Sequence, residues 1–226
     1  MTLRMDMLTR LIHSQCCRLI CLTADLLSEY DKGLNIFDAP DMGEGLFIGR
    51  ETELQGIESI LDLESSRPSL SRKVIVLGGV GGIGKTQLAV DFAKRHSSSF
   101  SSIFWLKANT EATLKSSLRT VANRVFQPDK VAEWDDDRLR NYVSNWFSES
   151  DNTRWLLIFD NYDDPYQYTI TQYFPFVAHG SIIITTRQPD QVNGDRIKIG
   201  SMKKIKDGLD ILATRSERQN IEFGKY

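Results

Sequence analysis

A run of four apolar residues, 74–77 (VIVL), passes almost directly into 79–86 (GVGGIGKT), and the positions after Lys85 set Leu88, Ala89, Phe92 and Ala93 on one helical face. An unbroken β-branched and apolar run of this kind reads as a strand buried on both faces of a parallel sheet. A glycine-rich turn between such a strand and a helix lets successive main-chain amides curl inward, and the helix start adds partial positive charge. With Gly79, Gly84, Lys85 and Thr86 at the fixed positions of G-x-x-x-x-G-K-[ST], the segment reads as a phosphate cradle. The expected contacts are the amides between Val80 and Thr86, through Gly81, Gly82 and Ile83, extending to Gln87. Lys85 is expected to reach the β- and γ-phosphates, and Thr86 to offer its hydroxyl to Mg²⁺.

The same strand-then-helix alternation continues along the chain. Residues 103–106 read as a second strand, followed by a helix opened by Thr110, with Glu111 favourable at its positive end and Leu114, Leu118, Val121, Ala122 and Val125 on one face. A further helix near 138–147 buries Leu139, Val143, Trp146 and Phe147. Residues 155–159, 181–185 and 196–199 supply a third, fourth and fifth strand. Upstream, Leu54, Ile57 and Leu61 recur on one face of a short helix that ends ahead of Pro68. Alternating strands and helices imply an α/β fold with a mostly parallel sheet, whose ligand crevice lies outside the carboxyl ends of the strands. Residues 1–30 read as a helical extension, 31–45, rich in Gly, Asp and Pro, as a linker, and 215–226 as a tail.

Two further positions complete the expected chemistry. The third strand delivers Asp160 to its end, where it would hold Mg²⁺ through water rather than merely begin the turn that follows. The fourth, reading SIIITTR, ends in Arg187, a fixed cation suited to the γ-phosphate because its planar fork binds phosphate bidentately. Lys85, Asp160 and Arg187 are thus the candidate catalytic residues, with Thr86 and Asp160 the candidate metal ligands.

Composition narrows the setting. A net charge of -2 gives no footprint for nucleic acid or an anionic membrane, and the basic residues Lys203, Lys204 and Lys206 read as a solvated face. Arg18, Asp25 and Lys32 interrupt the one candidate membrane span, and the same charges spoil a signal peptide. Three cysteines, all near the start, exclude a disulfide scaffold and fit a reducing, cytoplasmic setting. His13, Cys16, Cys17 and Cys21 fall on one expected helix, which cannot wrap a zinc tetrahedron, so packing is preferred over metal. Trp105, Trp146 and Trp155 are expected in the core.

Taken together these stretches resemble the NB-ARC nucleotide-binding domains of the signal-transducing ATPases with numerous domains, a group that includes plant resistance proteins, apoptosis regulators and fungal receptor-like relatives. The resemblance covers residues 46–214 and rests on FIGRETEL (47–54), GGVGGIGKTQLA, LLIFDN and SIIITTR; SIFWLKANTEATL is similar to fungal members. It implies a three-layer P-loop fold with a five-stranded sheet in the order 5-1-4-3-2. It also implies an adenine side at Phe47, Ile48 and Arg50, a switch between ATP- and ADP-bound forms with slow Mg²⁺-dependent hydrolysis, and homo- or hetero-oligomers with related proteins. Many relatives carry a second acid after the metal aspartate, where this chain has Asn161, which cannot take a proton as a general base. Asp163 or Asp164 could stand in, although the displaced spacing favours solvated turn residues. A turnover ATPase and a truncated fragment that regulates full-length relatives are the alternatives. The family domain normally continues into helical and winged-helix parts, so the expectation is of a core domain truncated before them.

Overall fold

The computed structural model describes residues 36–41, 48–63, 71–149, 152–202, 208–209 and 211. The expected extension (1–30), the tail (215–226), the Pro68 breaker, the cysteine group and the Lys203–Lys204–Lys206 cluster lie outside the described residues. Among the described residues six strands form one sheet: β1 (Ile36–Asp38), β2 (Lys73–Gly78), β3 (Ser102–Lys107), β4 (Trp155–Asp160), β5 (Ser181–Thr186) and β6 (Asp195–Lys198). Their spatial order is β1-β3-β4-β5-β2-β6 and every pairing is parallel.

Read over the five expected strands, this is the order 5-1-4-3-2. The correction is a sixth strand. Ile36–Asp38, inside the stretch read as a linker, pairs with β3 through Ile36↔Ser102 to Asp38↔Phe104 and forms one edge of the sheet.

Parallel strands need crossovers; α-helices on the two faces supply those from β1 to β4, and loops with single 3₁₀ turns supply those from β4 to β5 and from β5 to β6. The helices are α1 (Glu51–Leu61), α2 (Lys85–Arg95), α3 (Glu111–Val125), α4 (Pro128–Ala132) and α5 (Asp136–Trp146). Successive strand residues point to opposite faces, and each face carries its own core. Ile75, Leu77, Ile103, Leu156, Ile158 and Ile183 meet α1 and α2 through Leu54, Ile57, Leu88 and Phe92. Val76, Phe104, Leu106, Leu157, Phe159 and Ile182 meet α3 and α5 through Leu114, Val121, Val143 and Trp146. Both sides of the central strands are sealed, which is why those strands read as continuous apolar runs rather than alternating ones. The second face is the aromatic one. Phe104 lies edge-on to both Trp146 and Phe147, and the Trp155 ring packs on Phe147.

Gly180 enters this face by necessity. It has φ 87°, and a Cβ there would fall 2.2 Å from the Trp155 ring, so the close approach of chain to indole admits only glycine.

Candidate functional site

The carboxyl ends of β2, β4 and β5 open on one cleft of about 390 Å³, lined by Gly81, Gly82, Gly84, Lys85, Thr86, Gln87, Asn161, Asp163 and Arg187. Three strand-end loops contribute to it, as expected for a crevice in a parallel α/β sheet. The loop after β2 turns through two positive-φ glycines, Gly82 at 75° and Gly84 at 99°. A Cβ on Gly82 would meet nothing within 4 Å, so no neighbouring protein atom closes that side of the loop.

Gly84 is the N-cap of α2, which starts with no side-chain cap hydrogen bond and no acid in its first turn. Its opening amides therefore face the cleft with no capping side chain and no acid of the helix's own to offset their partial positive charge.

Lys85 is only 6% exposed, and its Nζ donates to the loop carbonyls of Gly79 (2.9 Å) and Val80 (3.0 Å). Burial pushes its ammonium pKa below the usual lysine value. Asp163 and Asp160 oppose that shift, and Arg187 adds to it. The ammonium has three donor hydrogens, and these two bonds leave one for an anion in the cleft.

Asp160 is 8% exposed. Its Oδ1 accepts from Thr86 Oγ1 at 2.8 Å and from Thr185 Oγ1 at 2.7 Å. A hydroxyl and a carboxylate in contact at the foot of an anion cradle are hard oxygen donors of the kind Mg²⁺ takes, together with phosphate oxygens and water. The residues present therefore fit both a phosphate chain and its metal.

Arg187 leaves the end of β5 with a 59% exposed side chain, and its Nε donates to Asp163 Oδ2 at 2.7 Å. This pairing was not foreseen from the sequence, in which Asp163 is a displaced substitute for a base or a solvated turn residue. Instead Asp163 is three-quarters buried or more, lines the cleft and is bonded to Arg187. Asn161 has φ 62°, a left-handed conformation that asparagine tolerates better than most residues. Its amide donates to Thr185 Oγ1 at 2.8 Å.

On the expected adenine side, Phe47 lies outside the described residues. Ile48 and Arg50 are half-buried and stand outside the cleft lining. Arg50 nevertheless ties three segments together. Its Nη2 donates to the Ile83 carbonyl in the glycine loop (3.0 Å), and its Nη1 donates to the Gly200 carbonyl (2.7 Å) and pairs with Glu53 (3.0 Å). Gly79 and Ile83 also stand outside the lining and act in the loop's framework. A Cβ on Gly79 would lie 2.5 Å from the Ile199 carbonyl oxygen.

A parallel sheet between two helical layers, with this loop, its buried lysine and the Thr86–Asp160 contact, defines a P-loop NTPase-type protein. The family model described as NB-ARC domain matches residues 51–209, and the chain belongs to that family. A nucleotide-binding leucine-rich repeat (NLR)-like protein of Hyaloscypha variabilis is 28% identical over 167 residues, covering 67% of this chain and 16% of the relative. Among solved structures, the Aeropyrum pernix ORC2 protein in ADPNP–ADP complexes aligns with TM-score 0.52 at 16% identity, covering 85% of this chain and 57% of that one. Cdc6p from Pyrobaculum aerophilum aligns with TM-score 0.52 at 13% identity, covering 85% and 54%. At these identities the likeness is one of fold. The chain thus spans about a sixth of the curated relative and just over half of the solved ones. Among the described residues, no helix is long and apolar enough to cross a membrane.

Proposed function

We propose that residues 46–214 work as a switch that binds ATP or ADP with Mg²⁺ and hydrolyses ATP slowly. The observation that carries this reading is the start of α2. It has no side-chain cap and no acid, follows two positive-φ glycines, and lies beside the buried Lys85. Such a terminus is an anion site by its own electrostatics. In this reading the amides from Val80 to Gln87 and Lys85 hold the phosphates, and Thr86 and Asp160 hold Mg²⁺. Arg187 answers to the γ-phosphate, and Phe47, Ile48 and Arg50 shape the adenine side. Bound magnesium would neutralise charge on the phosphate oxygens.

Asn161 supports slow turnover. It stands directly after Asp160, lines the cleft and has an amide where a base would need a carboxylate. A cytoplasmic setting and assembly with related NB-ARC proteins go with this reading. A switch further requires that ATP and ADP favour different conformers, since equal affinity shifts nothing.

The test is to identify the nucleotide that accompanies the purified protein and to repeat the measurement with Lys85→Ala. ADP is expected in the parent and none in the variant, whose affinity should fall by about 2–5 kcal/mol because a buried charge contact is lost. A calorimetric titration silent toward every adenine di- and triphosphate in the presence of magnesium would remove the proposal.

A further inference from the structure

Asp163 is held by more bonds than a solvated turn residue needs. Its Oδ1 accepts from the Arg187 amide and its Oδ2 from Arg187 Nε, both at 2.7 Å. Its carbonyl accepts from Gln188 Nε2 at 2.9 Å, and its own amide donates to the Asn161 carbonyl at 2.9 Å. The left-handed turn at Asn161 and the bond from the Tyr162 amide to the Thr185 carbonyl bring the chain back against the end of β5. The carboxylate thus meets Arg187 in the wall of the cleft that also holds Gly81, Lys85 and Thr86.

Two consequences follow from this placement. Arg187 is engaged through its backbone amide and Nε, so an anion that recruits its guanidinium must share it with a carboxylate already in place or displace that carboxylate. The carboxylate also puts a negative charge in the wall of an anion site, where it opposes added negative charge.

Building on the nucleotide reading above, we propose that Asp163 is a positioning residue that competes with the terminal phosphate for Arg187 and so sets the preference of this site for ADP over ATP. The diphosphate makes no demand on Arg187 and leaves the pair intact. The triphosphate must draw the guanidinium from Asp163 or accept the carboxylate as a neighbour. The competition for Arg187 falls on the triphosphate alone, and the repulsion grows with the charge brought into the cleft, so both disfavour ATP relative to ADP, which is what a nucleotide-dependent shift between states requires. This role differs from that of a general base, which would act on hydrolysis and not on equilibrium affinity.

The experiment measures calorimetric affinities of the full chain for Mg²⁺–ADP and for a non-hydrolysable Mg²⁺–ATP analogue, in the parent and in Asp163→Asn. The expected result is that the analogue binds about fivefold more tightly to the variant while ADP affinity stays within about twofold, the size expected for releasing one partly exposed ion pair. The gain should shrink in an Arg187→Ala background, where there is no guanidinium to release. Circular dichroism reports folding; if the asparagine variant does not fold, Asp163→Ser, which likewise removes the carboxylate charge, gives the same readout. An unchanged affinity ratio, a ratio moved toward ADP, or lost hydrolysis at an unchanged ratio would each overturn the assignment. A parent protein that binds neither nucleotide would instead remove the nucleotide reading itself and this inference with it.

Discussion

Two helices start at the same end of the sheet, and their first turns are built in opposite ways. α3 satisfies itself. Thr110 Oγ1 accepts from the Thr113 amide at 3.2 Å, the Thr113 hydroxyl accepts from the Thr110 amide at 3.1 Å, and Glu111 stands at the positive end. The approach to α3 is closed as well. The Ala108 amide donates to the Asp160 carbonyl, the Tyr168 hydroxyl donates to the Ala108 carbonyl, and the Tyr173 hydroxyl donates to Glu111 at 2.7 Å. α2 has no capping side chain and no acid, and it begins at a glycine beside an open cleft. In the nucleotide reading the phosphate charge takes at α2 the place that the Thr110–Thr113 cap and Glu111 take at α3.

Making α2 resemble α3 is the sharpest way to break this contrast. Gln87→Glu places a carboxylate in the first turn of α2, in the cleft lining. Mg²⁺–ADP should then bind about tenfold more weakly, near 1.4 kcal/mol, while the ligand-free protein gains about 0.3–1 kcal/mol from the helix dipole. Titration calorimetry and thermal melting separate the two effects. Unchanged affinity would mean that the open terminus does not face the nucleotide.

Loosening α3 should do the reverse. Tyr168→Phe leaves the buried Ala108 carbonyl short of its donor and should cost about 1–2 kcal/mol of stability by chemical denaturation, with nucleotide affinity preserved. Thr110→Ala removes the cap and should cost about 1 kcal/mol, again with affinity preserved. If either change weakened nucleotide binding more than folding, the two termini would not be separate devices.

The smallest effect is a slope with pH. Burial raises the hydroxyl pKa of both Tyr168 and Tyr173 above the ordinary value of 10.0. Above pH 10 the unfolded chain loses these protons while the folded one keeps them. The contribution is therefore complete below about pH 10 and is lost as pH rises toward the folded values. Denaturation midpoints measured from pH 9 to 11 should decline, and less steeply in Tyr168→Phe.

The α2 half of this contrast was legible in the residues, whereas much of the α3 half was not. GKT after VIVL marks its own strand, loop and helix because every contact involved is local. Thr110 was legible as a cap for the same reason, although its reciprocal partner is Thr113 and not the acid such boxes usually carry. Tyr168 on Ala108, Tyr173 on Glu111 and Asp163 on Arg187 join elements far apart in the chain. Such pairs exist only after the strand order has brought the loops together. Asn161 could be read as the absence of an acid, but its left-handed turn, which sets the path of the chain to Asp163, could not. The strand Ile36–Asp38 is too short to show a period, and it sits among Gly, Asp and Pro, where a loop was the natural reading.

The strand order also bears on how such a chain must be made. β2, the strand that carries the glycine loop, has only β5 and β6 as sheet neighbours, and both are encoded far downstream. As the polypeptide leaves the ribosome, Val74, Ile75, Val76 and Leu77 cannot find their partners until Ser181–Thr186 has emerged. During that interval an apolar segment of high β-propensity stays unpaired, a hazard for self-association during synthesis that parallel topologies share.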